Sequence, residues 1–241
     1  MKKIPLFTVC LLSFIFIHAQ TNNSESLNLK NVPSDHFMFQ YGVDNWTNKP
    51  DSVKIGGGFS HHVNVYLMFN NFNKTNPKFA FAYGIGIGAS HIFFDKTIVN
   101  IKSPTAQLPF SPVKSTDNYY DQYKLTTLYL QVPLEYRYYS NPYNTNRSWK
   151  AAIGLKGGLL LNAYTWAKNY QNSVGQSIYG TSYSVSESFT KFLNGFSLET
   201  TARFGYGSTS LHVGYNLTDV LQSGAGAAMG KISIGLSISG L

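Results

Sequence analysis

A serine, a histidine and a glutamate fall where a Ser–His–acid catalytic group could form. Ser210 and His212 are two residues apart, so on a β-strand their side chains point to the same face. Glu199 has the same phase on the preceding predicted strand, and an acid there could orient the imidazole. Serine and histidine also fill polar interiors without reacting. The trio therefore makes a lipid-modifying enzyme the alternative against which other functions are weighed.

Three histidines raise the question of a metal site, and their spacing argues against one. His61 and His62 are adjacent, so a regular strand points their imidazoles to opposite faces. His91 shares the phase of His61 on the neighbouring predicted strand. A structural zinc site needs four ligands, often cysteines, and Cys10 is the only cysteine of the chain. We expect no metal and no other cofactor.

Five charged residues in the middle of predicted strands share one property. Each falls on the face opposite the apolar row of its own strand. Two acids and three bases on one face could pair across a closed interior. We therefore predict a polar network on that face. Its members are Glu135, Arg137, Lys156, Glu199 and Arg203.

Eight segments with period-two alternation of apolar residues must position these side chains. In segments 79–94 and 149–164 the face opposite the apolar row is mostly Gly, Ala and Ser. Such a face suits a narrow interior in which side chains interdigitate, and it suits a solvated surface poorly. The predicted strands span about residues 37–44, 58–69, 79–94, 125–139, 149–164, 195–206, 209–217 and 231–241.

The composition favours a surface that meets lipid. Charged residues make up 12 %, against about 25 % in an average soluble domain, and the chain has 17 Tyr, 17 Phe and 21 Gly. Alternation alone does not separate a membrane barrel from a soluble periplasmic β-sandwich, so the sandwich stays open as an alternative fold. In a barrel, aromatic residues gather at the two membrane borders. The candidates for these girdles are Tyr136, Tyr138, Tyr139, Tyr143 and Trp149 at one border, and Phe93, Phe94, Tyr119, Tyr120, Tyr123 and Trp166 at the other.

The first twenty residues have the layout of a secretory signal peptide. Lys2 and Lys3 precede an apolar run, and a small residue, Ala19, lies near the expected cleavage point. The apolar run is shorter than the roughly 20 residues that a transmembrane helix needs. We predict a signal peptide at residues 1–20, a periplasmic lead-in at 21–36 and a barrel domain at 37–241.

The connections between the predicted strands alternate between long and short. Outer-membrane barrels have short periplasmic turns and longer external loops, and the longest connections here are 95–124 and 165–194. The sequence thus predicts an all-β, eight-stranded antiparallel up-and-down transmembrane β-barrel in the outer membrane. Side chains fill the interior of an eight-stranded barrel, so we expect no open pore.

Partners follow from charge and from the loops. The formal charge is +8, but the basic residues are scattered and form no cluster that would bind nucleic acid. Attraction to anionic headgroups of outer-membrane lipids accounts for this charge. The long loops are the place where other envelope proteins would bind.

Residues 128–139, read as Leu-Tyr-Leu-Gln-Val-Pro-Leu-Glu-Tyr-Arg-Tyr-Tyr, resemble a strand motif of the PorT-like outer-membrane β-barrel family of Bacteroidetes. Residues 216–219 and the Ala19–Gln20 end of the signal peptide are similar to that family as well. The resemblance implies an outer-membrane barrel that acts as a structural or interaction component, with a role in secretion or envelope assembly. The resemblance says nothing specific about activity, and we expect the protein not to be an enzyme.

Overall fold

The computed structural model describes residues 37–56 and 59–240. The predicted signal peptide at 1–20 and lead-in at 21–36 lie outside the described residues, as do Gly57, Gly58 and Leu241. No helix within the described ranges is long and apolar enough to cross a membrane.

The regular secondary structure of the described chain is almost all β-strand. A short 3-10 helix, Thr145–Arg147, is the exception. The strands are β1 Phe37–Thr47, β2 His61–Phe72, β3 Phe79–Phe94, β4 Thr97–Val99, β5 Phe110–Pro112, β6 Tyr119–Tyr139, β7 Trp149–Gln171, β8 Ser184–Ser188, β9 Phe196–Tyr206, β10 Thr209–Asn216 and β11 Gly230–Ser239.

Eight of these strands close into a ring of antiparallel neighbours, in the order β1, β2, β3, β6, β7, β9, β10 and β11. The ring closes because β1 pairs with β11, in register from Met38–Ser239 to Thr47–Gly230. The predicted eight-stranded barrel is confirmed. β4 and β5 form a separate two-stranded sheet, and β8 pairs with the end of β7.

Side chains alternate between the two faces of the barrel wall. The predicted apolar rows point outward and remain exposed; Ile85, in the middle of the row on β3, is 48 % exposed. Their inward neighbours are buried, among them Ala80 and Ala82 on the same strand. The apolar rows therefore pack against no other part of the described chain, which excludes the β-sandwich alternative.

The two ends of the barrel differ. At the short-turn end the strands are joined by residues 73–78, 140–148 and 207–208. Gly207, in the two-residue turn between Tyr206 and Thr209, has a φ of 60°, a left-handed conformation that glycine adopts without strain. At the long-loop end the connections are 48–60, 95–118, 172–195 and 217–229.

Several predicted strand ends and loops were wrong in their extent. β6 begins at Tyr119 rather than near 125, and β7 continues to Gln171 rather than ending near 164. The connections 95–124 and 165–194 also contain β4, β5 and β8. The outward positions of these additional strand segments carry Tyr, Gln and Lys. The alternation of apolar residues therefore ends while the backbone hydrogen bonding between the strands continues.

A bulge lies in the pairing of β6 with β7. Leu128 is opposite Asn162 and Tyr129 is opposite Leu160, so Leu161 is an extra residue on β7. The extra residue shifts the phase, and Ala163 then faces the interior. Between the bulge and the long-loop end, the inward and outward faces of β7 are therefore exchanged, while the pairing with β6 continues.

Pro133 also affects pairing, as a proline inside a strand is expected to do. The pairing of β3 with β6 is interrupted at this proline: it stops at the pair Tyr83–Leu134 and begins again at the pair Gly86–Gln131. Because proline has no N–H, it donates no ladder hydrogen bond there.

Three residues predicted in the aromatic girdles are buried inside instead. They are Phe94, Tyr123 and Tyr139. Tyr139 follows the outward Tyr138, so alternation turns its ring inward, where the Lys150 ammonium lies 5.7 Å from the ring centroid. Trp149 and Tyr136 do point outward.

Candidate functional site

A carboxylate and two guanidinium groups meet near the short-turn end of the interior. Arg203 Nε and Nη2 donate to the two Glu135 carboxylate oxygens at 2.9 and 2.7 Å. Arg137 Nε donates to Glu135 Oε2 at 2.7 Å, and Arg137 Nη1 donates to Asn70 Oδ1 at 2.7 Å. Glu135 is 3 % exposed, so one buried carboxylate holds two buried cations.

A second charged group lies nearer the long-loop end. Lys156 Nζ lies 2.8 Å from Glu199 Oε1, and Lys231 Nζ lies 3.5 Å from Glu199 Oε2. Lys231 also reaches Asp44 Oδ2 at 3.9 Å. The two carboxylates and two ammonium groups balance each other in charge. Such a balance matters because an unpaired buried charge is strongly destabilising.

A chain of side-chain hydrogen bonds starts from Asp44. Asp44 Oδ1 lies 2.7 Å from His62 Nδ1, and His62 Nε2 lies 2.8 Å from His212 Nε2. His212 Nδ1 is 3.4 Å from Ser237 Oγ. If each imidazole carries one proton, Ser237 donates to His212, His212 to His62, and His62 to the carboxylate. The chain is then complete with both histidines neutral.

Amides and a phenol fill the remaining interior. Gln40 Nε2 donates to Ser237 Oγ at 2.8 Å, and Asn64 Nδ2 donates to Gln40 Oε1 at 3.2 Å. The Tyr66 hydroxyl donates to Gln131 Oε1 at 2.5 Å. A cavity of about 30 Å³ beside Lys231 has room for about two water molecules. Polar side chains therefore fill the interior.

Glycines give these side chains their space. A Cβ on Gly214 would overlap the Glu199 carboxylate, and a Cβ on Gly88 would overlap the side-chain amides of Asn64 and Gln131. The glycines on the inward face therefore leave the space that the polar side chains of the network occupy.

The five residues predicted for the network all lie buried in the interior, but in two groups. Glu135, Arg137 and Arg203 contact one another, and Lys156 contacts Glu199. The alternative catalytic trio does not assemble, because His212 bonds His62 and Ser237 while Glu199 bonds two lysines. Ser210 is also buried.

Sequence reasoning missed Asp44, Lys231, His62 and Ser237 as network members. Each has the inward phase of its strand, which is the signal that could have found them. Asp44 and Lys231 lie toward strand ends and so fell outside the set of mid-strand charges. No group of three or more His, Cys, Asp or Glu that could hold a metal occurs among the residues that the structure describes.

Apolar residues from all four long connections pack over the long-loop end. Backbone hydrogen bonds join these connections: Leu108 N donates to Ala225 O at 2.8 Å, and Gln222 N donates to Phe192 O at 3.0 Å. We call this cluster the loop cap, since it covers the end of the barrel. Its loop members are Val53, Val99, Ile101, Leu108, Phe192, Leu193, Val220, Leu221, Ala225 and Met229.

An arm extends beyond the barrel at the same end. It consists of residues 119–124 of β6, 165–171 of β7, the loop 172–183 and β8, and we call it the tyrosine arm. Its rings form a series, with centroids 4.8 Å apart for Tyr120–Tyr170, 6.1 Å for Tyr170–Tyr179 and 5.0 Å for Tyr179–Tyr183. Partial burial and the neighbouring phenols raise the pKa of Tyr120, so the phenol stays un-ionised near neutral pH.

One family profile agrees with this architecture. The family profile of the outer membrane protein beta-barrel domain matches residues 21–222, most of the chain. Among solved structures, one match is Ail, the attachment invasion locus protein of Yersinia pestis, at 11 % identity and a TM-score of 0.32. The match covers 86 % of this chain and 97 % of that chain. No curated protein matches the sequence.

Proposed function

Because this chain belongs to the outer membrane protein beta-barrel domain family, we propose that it is a non-enzymatic outer-membrane component that binds other envelope proteins through its tyrosine arm. In such barrels the long loops are external, so the arm faces outward from the cell. The arm is the observation that carries the proposal, since the barrel beneath it is filled.

The filled interior favours a role in binding rather than in transport or catalysis. Charged groups and amides occupy the barrel, and the loop cap covers its external end. Ser237, the hydroxyl nearest a histidine base in the hydrogen-bonded chain, is 0 % exposed. A substrate could reach it only if the packed interior side chains moved apart.

The composition of the arm suits contact with a protein. Residues 169–188 are rich in Tyr, Ser, Asn and Gly, the residue types that dominate antibody binding loops. Tyrosine supplies a large contact area at a low cost in conformational entropy. Tyr179, near the tip, is 65 % exposed.

β8 adds a backbone element to this surface. It lies at the end of the strand order and pairs with β7 along residues 164–168. A strand at a sheet edge offers N–H and C=O groups to an extended segment of a partner. The short β8 is therefore the segment of the arm best suited to bind a strand of another protein.

The finer identity of the protein is part of this proposal. The likeness of residues 128–139 to the PorT-like family supports a role in secretion or envelope assembly. Delivery by a signal peptide at residues 1–20, followed by a lead-in at 21–36, supports the same location. Outer-membrane lipids would be the second class of partner, and nucleic acid would not be one.

Site-specific photo-crosslinking in cells tests the arm. A photoreactive residue at Tyr179 is expected to give discrete protein adducts. The same residue at Tyr143, which is 58 % exposed and lies at the short-turn end, is the matched control and is expected to give none of those bands. Identical bands from both positions, or none from Tyr179, would refute the proposed arm contact.

A lipid-modifying enzyme is the second candidate, and one observation favours it. Ser237, His212, His62 and Asp44 form a chain from hydroxyl through imidazoles to carboxylate, as a catalytic serine would need. Mass spectrometry of lipid A from cells with and without the protein decides the matter. An unchanged spectrum removes this candidate, whereas a change that His212→Ala abolishes would establish it.

A further inference from the structure

The outward apolar rows end at the same level on three neighbouring strands. His61 of β2 is opposite His91 of β3, and His91 is opposite Thr126 of β6. The next outward position on β3 and β6 holds Phe93 and Lys124, which are also opposite each other. Toward the barrel middle the same rows consist of exposed aliphatic side chains. The level of the histidines is therefore the external border of the hydrocarbon layer.

Basic groups collect on the outer wall at this border. Lys124 Nζ lies 5.5 Å from the ring centroid of Phe93 and 5.0 Å from that of Trp166, so two rings hold the ammonium group. The rings of His61 and His91 have centroids 4.8 Å apart. We call His61, His91, Lys124, Trp166 and Lys168 the rim patch.

Lys168 adds a second ammonium group to this face. It is opposite Gln122, one outward position above the Lys124–Trp166 pair. Diagonal neighbours of this kind lie roughly 7–8 Å apart. Long side chains at such diagonal positions are within reach of each other, so both ammonium groups can contact one ligand.

No described carboxylate forms an ion pair with these lysines. Glu187 is opposite the inward Thr165, so it lies on the other face of the arm, where it contacts Lys102 at 3.9 Å. Asp44 points into the barrel, and Asp121 contacts Asn169. The two lysines of the rim patch therefore form no ion pair with a described carboxylate.

The histidines have their ring orientations fixed by hydrogen bonds. His61 Nδ1 donates to the Phe59 carbonyl at 2.7 Å. His91 Nδ1 lies 2.9 Å from Thr126 Oγ1, and if it accepts the hydroxyl proton, Nε2–H remains to donate to a ligand. Two ammonium groups and an imidazole donor at one site suit a phosphate group.

We propose that the rim patch binds the phosphate group of a lipid in the external leaflet. The position favours a lipid over a soluble phosphate, because exposed Phe59, Tyr41 and Val65 beside or below the histidines would contact its acyl chains. Basic residues at a membrane border bind anionic headgroups in the same way. The histidines of the site lie on the barrel wall, and its two lysines and Trp166 lie at the base of the tyrosine arm. Lipid binding at the site needs no protein partner, so it is tested apart from the contact proposed for the arm.

Native mass spectrometry of the delipidated, folded protein tests this site. Phosphatidic acid supplies a lipid phosphate, and phosphatidylcholine supplies a lipid without net charge. The wild type is expected to retain one phosphatidic acid molecule. K124Q/K168Q is expected to bind about 25-fold more weakly, since each basic residue near an anionic surface contributes about fivefold. K124R/K168R keeps both charges and should retain binding.

K74Q/K78Q is the matched control, because it removes two exposed lysines at the short-turn end. It should bind phosphatidic acid as the wild type does, and heat-modifiable gel mobility shows that each variant is folded. Equal binding by K124Q/K168Q and the wild type would overturn the proposal, as would equal retention of phosphatidylcholine. Full displacement of the lipid by equimolar inorganic phosphate would overturn its assignment to a lipid.

Discussion

Replacing Glu135 by glutamine removes one negative charge from the interior and changes the side-chain volume little. In the structure this carboxylate accepts two hydrogen bonds from Arg203, at 2.9 and 2.7 Å, and one from Arg137 at 2.7 Å. Glu135→Gln leaves two guanidinium groups beside a neutral amide, in a place that water hardly reaches.

The expected loss is large because the charges are buried. Breaking a buried ion pair by removing one partner costs about 3–5 kcal/mol. The unfolding equilibrium constant should therefore rise by roughly 100- to 4,000-fold. Glu187→Gln is the matched control, since Glu187 is 41 % exposed and lies 3.9 Å from Lys102. An exposed pair of this kind contributes at most about 1 kcal/mol.

Urea unfolding of the protein in lipid vesicles, followed by gel mobility, measures both losses. Arg203→Gln added to Glu135→Gln should restore part of the stability, because it removes one of the unpaired cations. A loss below about 1 kcal/mol for Glu135→Gln, equal to that of the control, would refute the view that this carboxylate holds the arginines together.

Three further predictions concern the interior and the wall. Gly214→Ala should lower the free energy of unfolding by about 1–3 kcal/mol, because the added Cβ overlaps the Glu199 carboxylate. Gly195→Ala is its control and should leave the stability unchanged, because a Cβ at Gly195 meets open space. Equal effects of the two substitutions in urea titrations would contradict this. Ile85→Arg should cost about 2–4 kcal/mol of stability in vesicles, since it places a charge in the middle of the hydrocarbon layer. Val174→Arg, in a loop and 76 % exposed, is its control and should cost nothing measurable. Planar bilayers containing the protein should show no steady conductance, because side chains and the loop cap fill the barrel; regular unit currents would contradict the closed interior.

The wall of the barrel could be predicted from the sequence because its pattern is local. A strand in lipid alternates between two faces, so the row from Phe79 to Ile87 identifies β3, whose predicted limits match the observed Phe79–Phe94. The same alternation assigned the five charged residues to the interior.

Contacts between distant residues could not be predicted in that way. The loop cap joins Leu108 to Ala225 and Phe192 to Gln222, and no short-range period relates these positions. The His62–His212 contact joins strands that are not neighbours in the ring. Pairing across the interior depends on which strands face each other once the barrel has closed, and alternation carries no information about that.

The tyrosine arm was missed for a different reason. Strand prediction relied on rows of aliphatic side chains, which end where lipid ends. β6 and β7 continue past that border with Tyr120, Gln122, Lys168 and Tyr170 on the outward face. Their backbone pairing needs no lipid, so the strands extend further than the apolar rows.

The central claim is that hydrocarbon chains cover the outward rows, and fluorescence quenching measures this directly. Cys10 is the only cysteine of the chain and lies in the predicted signal peptide, so single cysteines can carry a fluorophore without interference. Labels at Tyr83, Ile85 and Leu134 should be quenched by brominated acyl chains and not by aqueous iodide, whereas a label at Val174 should show the reverse. Iodide quenching of the three wall positions as strong as that at Val174 would contradict the account.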